Sequence, residues 1–163
     1  MYGGMYYANI INCDVNNGKG VRVSLFVSGC SHGCDGCFNS IAMNPRYGEP
    51  FTEEAMSQIL DYLRHPSIRG ISLLGGDPLY FRNLTGVNAV VDRIREELPE
   101  KDIWLWTGYR LEELNEEQLT IVKKVDMVID GRYEKDNKTL KPFRGSDNQV
   151  QYSVINQIPV KVL

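Results

Sequence analysis

Four short apolar runs set the architecture. They are VRVSLFVS (21–28), IRGISLLGGDP (68–78), DIWLW (102–106) and VDMVID (125–130). Each runs into a glycine-bearing polar turn: SGC, GGDP, TGY and DGRY. Runs this short read as strands. Between them lie stretches of helical periodicity. In residues 52–63, Thr52 can cap, Glu53 and Glu54 suit a first turn, and Met56, Ile59, Leu60 and Leu63 share a face. Pro66 stops that helix. Residues 84–98 place Val87, Val90, Val91, Ile94 and Leu98 inward, and a third helix is predicted near 111–123. Beyond residue 131 the periodicity fades, and 150–160 reads as a last edge strand.

Strand alternating with helix predicts an α/β fold with a parallel sheet and right-handed crossovers. About four to five βα units fall short of a full eight-unit barrel. The expected architecture is a partial, laterally open barrel, and a doubly wound sheet is the competing one. In both, ligands gather at the carboxyl ends of the strands, where the four glycine turns sit.

The chain has 163 residues, suited to one domain spanning 1–163. With 42% apolar and 24% charged residues it has the balance of a soluble globular protein. A net charge of −3 gives no field drawing it to nucleic acid or an anionic membrane. The N-terminus, MYGGMYYANIINCDVNN, has neither a basic region nor a long apolar run, so neither a signal peptide nor a membrane span is expected. The expected location is the cytoplasm, where thiols stay reduced.

Three of the four cysteines lie in CSHGCDGC, residues 30–37. In a reducing compartment such a cluster points to metal rather than disulfides. Structural zinc wants four closed ligands, so Cys13 or His32 would have to join the three. A four-iron cubane held by three thiolates keeps one iron open, as a reactive centre requires. Gly29, Gly33 and Gly36 allow a short loop to wrap closely around such a group.

C-x3-C-x2-C directly after a first parallel strand resembles the radical S-adenosylmethionine superfamily. The resemblance implies that Cys30, Cys34 and Cys37 hold a [4Fe-4S] cluster and that S-adenosylmethionine chelates the open iron. The superfamily often has an aromatic residue just before the third cysteine. Here that place is Gly36, and the aromatic follows as Phe38, so Gly36, Cys37 and Phe38 become cofactor-binding candidates. Gly75-Gly76-Asp77 resembles the superfamily's Gly-Gly-Glu stretch, which binds the methionyl amino group. Glycine backbone can approach a ligand closely, and a carboxylate favours a nearby ammonium.

NGKGVRVSLFVSGCSHGCDGCFN, GISLLGGDPLY, KDIWLWTGY, VDMVIDGRYE and RGSDNQ occur in that order. Together they closely resemble the activating components of anaerobic (class III) ribonucleotide reductase, over roughly residues 9 to 150. Lys19 stands where that family has a proline. The resemblance implies one-electron cleavage of S-adenosylmethionine to methionine and a 5′-deoxyadenosyl radical. That radical takes hydrogen from a glycine of the large reductase subunit. The implied partners are that subunit and an electron donor such as flavodoxin. Alternatives are an activase of another glycyl-radical enzyme of the formate-lyase type, for which the chain is short, and a non-enzymatic zinc or iron–sulfur module.

Other residues carry weaker expectations. Trp104 and Trp106 read as packing, Cys13 as a plain thiol, and His32 as a solvent-facing loop residue. Thr107, Gly108, Asp130 and Gly131 end strands, where they either line the site or merely turn the chain. Asn39 fits a role in shaping the cysteine loop. Arg132, Lys135, Lys138, Lys141 and Arg144 form a solvated loop or a docking surface for the reductase. LEELNEEQL reads as a solvated helix face.

Overall fold

The computed structural model describes residues 1–33 and 43–162. Three parallel pairings lie at its centre. Strands β2 (Arg22–Val27), β4 (Gly70–Gly75), β5 (Asp102–Trp106) and β6 (Met127–Asp130) run side by side in chain order. Helices α1 (Glu53–Leu63), α2 (Leu84–Glu97) and α3 (Glu116–Val122) make the crossovers between them. This order has no reversal, so there is no switch point of the doubly wound kind. Right-handed crossovers that always step the same way place all three helices on one face.

The flanks depart from the expected all-parallel sheet. Strands β1 (Tyr6–Asp14) and β3 (Glu49–Pro50) extend one side, and β7 (Val150–Ile155) and β8 (Ile158–Lys161) the other. The order is β3-β1-β2-β4-β5-β6-β7-β8, and the pairs β1–β2, β1–β3, β6–β7 and β7–β8 are antiparallel. A parallel connection needs a dozen or more residues, usually with a helix. Residues 15–21 between β1 and β2 are too few for that. Between β7 and β8 the chain reverses through Asn156 and Gln157, both at positive φ (51° and 67°). Two left-handed residues make the tight turn whose twist suits a hairpin. Among the described residues the result is an open, mixed eight-stranded sheet with three helical crossovers, not four to five βα units.

Local chemistry accounts for the helix ends. Thr52 Oγ1 accepts from Ala55 N at 3.4 Å at the start of α1. The predicted helix at 111–123 divides in two. A single 3₁₀ turn covers Leu111–Glu113, and α3 starts only after Asn115. The Asn115 side chain accepts from Gln118 N at 2.8 Å, and Gln118 Oε1 accepts from Asn115 N at 3.0 Å. That reciprocal cap begins a new helix.

Period-two alternation separates the two faces of the sheet. Val23, Leu25, Val27, Ile71, Leu73, Ile103, Leu105 and Val128 join one core with Met56, Ile59, Leu63, Val87, Val91, Ile94 and Val122 of the helices. The other face carries Arg22, Ser24, Phe26, Ser72, Leu74, Trp104 and Trp106. Among the described residues, no helix is long and apolar enough to cross a membrane.

Candidate active site

The exits of β2 and β4 are stitched together. Gly76 N donates to Val27 O and Asp77 N to Gly29 O, both at 2.8 Å. Gly75 lies opposite Val27 with φ +116°, and a Cβ there would stand 2.3 Å from Val27 O. Glycine is required at 75 by its neighbouring strand. Asn83, just before α2, sends its Nδ2 to Ser28 O and Asp77 O, each at 2.9 Å. Gln118 Nε2 donates to Leu79 O at 2.8 Å. Both braces are buried side chains that join the GGDP turn to elements behind it.

Asp77 is fully buried. Its carboxylate accepts from Leu79 N (2.8 Å), Thr107 Oγ1 (2.9 and 3.1 Å) and Gly108 N (2.9 Å), and its Oδ2 is hydrogen-bonded with His32 Nε2 at 2.5 Å. His32 is therefore not solvent-facing: its side chain is 3% exposed. Its ring stands edge-on to Tyr109 with centroids 4.5 Å apart. Its backbone N–H donates to Cys30 Sγ at 3.4 Å. Sequence reasoning missed this because an imidazole in a polar, glycine-rich loop carries no apolar pattern to announce its burial.

Above this cluster lies a cavity of about 460 Å³ at the carboxyl ends of the strands. Cys30, Gly75, Gly76, Thr107, Gly108 and Gly131 line it, so all four glycine turns contribute. Phe26, Leu74 and Trp106 supply apolar wall from the face opposite the helices. Asn16 and Asn17 close it from the β1–β2 connection, and Phe143, Arg144, Gly145 and Gln149 from the β6–β7 connection. The structure thus brings together Cys30, Gly75 and Gly76, with Asp77 directly beneath. Cys34, Gly36, Cys37, Phe38 and Asn39 lie outside the described residues.

Segment 143–149 is more ordered than its composition suggests. Phe143 sits at φ +68°, its carbonyl accepts from Trp106 Nε1 at 2.6 Å, and its ring meets Trp104 edge-on. Gln149 Oε1 accepts from Gly145 N and Ser146 N, and its Nε2 donates to Gly131 O. The RGSDNQ stretch was the available signal. Arg132 pairs with Glu113 and Lys141 with Asp147. Arg144 instead reaches the cavity. Its NH1 donates to Gln149 O at 3.0 Å, and its buried Nε has no hydrogen-bond partner among the described residues.

Two buried carboxylates frame the sheet. Burial pushes the Asp130 pKa above the ordinary carboxylate value, more than the hydrogen bond from Leu111 N pulls it down. Burial acts the same way on Asp14. There the hydrogen bonds from Ser24, Asn16 and Asn17, with Arg22 nearby, prevail and hold it below the ordinary value. Cys13, at φ +60°, lies at the Arg22 end of β2, whereas Cys30 follows its other end. A six-residue strand spans about 20 Å, which sets Cys13 and Cys30 toward opposite ends of β2.

Residues 16–152 match the family model of the 4Fe-4S single cluster domain. An anaerobic ribonucleoside-triphosphate reductase-activating protein of Enterobacteria phage T4 is 46% identical over 149 residues, 91% of this chain and 94% of the relative. The protein of the same description from Escherichia coli K12 is 44% identical, over 90% of this chain and 97% of the relative. This chain belongs to the anaerobic ribonucleoside-triphosphate reductase-activating protein family. For a member of that family and a 4Fe-4S single cluster domain, Cys30 on the cavity wall is a fitting donor. An iron–sulfur cluster is held by thiolates, and the adjoining cavity falls within the roughly 300–1,000 Å³ of small-molecule sites.

Proposed function

We propose that the chain is one radical S-adenosylmethionine domain, residues 1–163, that installs a glycyl radical on the large catalytic subunit of anaerobic ribonucleotide reductase. The observation that carries this reading is Cys30 beside the Gly75–Gly76 turn on one cavity wall, in a chain of this family. Cys30, Cys34 and Cys37 are the cluster ligands and the catalytic residues. Gly75, Gly76 and Asp77, with Gly36, Cys37 and Phe38, form the S-adenosylmethionine site, Asp77 by holding the turn from beneath. The setting is the reducing cytoplasm, with a low-potential donor of the flavodoxin kind.

A reduced cluster held by Cys30, Cys34 and Cys37 would supply the electron for cleaving S-adenosylmethionine, the chemistry that leads to a glycyl radical on the partner. The chain's own residues supply placement and exclusion. The Gly76 carbonyl can accept from an ammonium group. Phe26, Leu74 and Trp106 keep water from one side of the cavity. Asn16, Asn17 and Arg144 offer polar groups to a peptide backbone entering from the loop side. An open sheet leaves room for a polypeptide loop, as a closed barrel would not.

Anaerobic reconstitution with iron and sulfide tests this. The expected product is a brown protein with about four irons per chain. With dithionite it releases methionine and 5′-deoxyadenosine from S-adenosylmethionine. Cys30→Ala, Cys34→Ala and Cys37→Ala each lose the iron, and Cys13→Ala keeps it. A colourless protein that takes up zinc instead contradicts the reading.

A further inference from the structure

We propose that His32 is a positioning residue: through Asp77 it ties the first cysteine of the cluster loop to the Gly75–Gly76 and Thr107–Gly108 turns, fixing where the cluster meets S-adenosylmethionine. The proposal rests on the reading above.

Asp77 has four hydrogen-bond partners around two oxygens, two of them backbone N–H groups from different turns. His32 Nε2 and Asp77 Oδ2 stand 2.5 Å apart and share one hydrogen. With its oxygens so occupied, Asp77 is filled without any ligand ammonium. Its work is to hold together the exits of β2, β4 and β5.

His32 extends the tie on the β2 side past Gly29, where the backbone bond from Asp77 N ends. Space for it is built in, since a Cβ on Gly108 would lie 2.5 Å from the imidazole Cδ2. Cys30 Sγ, His32 and Asp77 ligand atoms all come within 4.8 Å of one another. With Nε2 bound to Asp77, the ring is engaged as a strut. Cys30 therefore keeps a fixed relation to Gly76 whether or not a cofactor is present. Removing the imidazole leaves all three thiolates in the sequence and Gly29 bonded to Asp77 N, but it takes away the side-chain tie beyond Cys30.

The test compares wild type, His32→Ala, His32→Gln, Asp77→Ala and the His32→Ala/Asp77→Ala double variant after the same anaerobic reconstitution. Glutamine retains a nitrogen donor near the Nε2 position. We expect His32→Ala to hold wild-type iron. Its S-adenosylmethionine dissociation constant should rise roughly 10–100-fold, the usual range for outer-shell partners. The shift should appear in KM more than in kcat. The reduced cluster's electron paramagnetic resonance spectrum should need correspondingly more S-adenosylmethionine to change. His32→Gln should recover most of the affinity. The His32→Ala/Asp77→Ala double variant should lose little beyond Asp77→Ala, as expected for one coupled unit. In the iron-free protein, amide exchange at 28–33 should quicken in His32→Ala. Unchanged affinity in His32→Ala, or loss of iron from it, overturns the proposal while leaving the proposed function standing. A wild type that takes up no cluster, or binds no S-adenosylmethionine, overturns that function and the proposal with it.

Discussion

Along β4, Ile71 and Leu73 turn to the helices, while Ser72 and Leu74 turn the other way. The same split runs through β2, with Val23, Leu25 and Val27 against Arg22, Ser24 and Phe26, and through β5, with Ile103 and Leu105 against Trp104 and Trp106. One face is uniformly aliphatic and sealed by α1, α2 and α3. The other is covered by loops, and it buries the polar groups Arg22, Ser24 and Ser72 beside Leu74 and Trp104. Arg22, wholly buried, donates to Ser72 Oγ, Lys19 O and Ile71 O, pairs with Asp102 at 2.6 Å and lies over the Trp104 ring. Ser24 donates to Asp14 at 2.6 Å. Parallel strands are usually packed by helices on both faces. Where helices are replaced by loops, space remains at the strand ends for a cavity, and hydrogen bonds replace aliphatic packing as the fastening.

The contrast is broken most severely from the helix side. Leu73→Ala should cost about 2–5 kcal/mol by urea unfolding, through lost burial and a residual cavity. The folded fraction should keep its cofactor affinity. Arg22→Leu should cost less, about 1–3 kcal/mol, by leaving Ile71 O and Ser72 Oγ without their donor. Equal costs for the two would erase the distinction between the faces. Gly76→Val should leave the unfolding midpoint within error and keep the iron, yet weaken S-adenosylmethionine binding at least about tenfold, near 1.4 kcal/mol. Normal binding by that variant would reduce GGDP to an ordinary turn.

The smallest effects are slopes with pH. Asp14 has a depressed native pKa, so its stabilisation is complete above the unfolded value near 3.8 and is lost as pH falls through the native one. Asp14→Asn should flatten the acid limb of the stability profile. Asp130 has a raised pKa, so its penalty appears as pH climbs from 3.8 through the native value. Asp130→Asn should remove that decline. Urea midpoints from pH 2 to 7 measure both, and changes in slope from wild type with the same sign in the two variants would contradict the assignment.

The helix-covered face was legible in the sequence because its signal is periodic. The predicted strand at 102–106 coincides with β5, and the one at 21–28 contains β2. The flanks were not. β1 is bulged against β2 between Tyr7 and Asn9 and again between Ile11 and Asp14, which breaks the alternation. Its YYANII stretch of aromatic and β-branched residues was the signal available. The β7–β8 turn uses Asn156 and Gln157 in place of a glycine-bearing pair, so 150–160 read as one strand. In the site, cysteine spacing and glycine pairs mark themselves by residue type. Asn83, His32 and Arg144 do not, because each matters through contacts across 30 or more residues of sequence or through a cavity wall.

The most direct test is electron paramagnetic resonance on this protein mixed with reductant, S-adenosylmethionine and the large anaerobic reductase subunit. The account predicts a glycine-centred radical on the large subunit, rising in step with 5′-deoxyadenosine and absent when the acceptor glycine is changed to alanine. Steady cleavage of S-adenosylmethionine with no radical on the partner would contradict it.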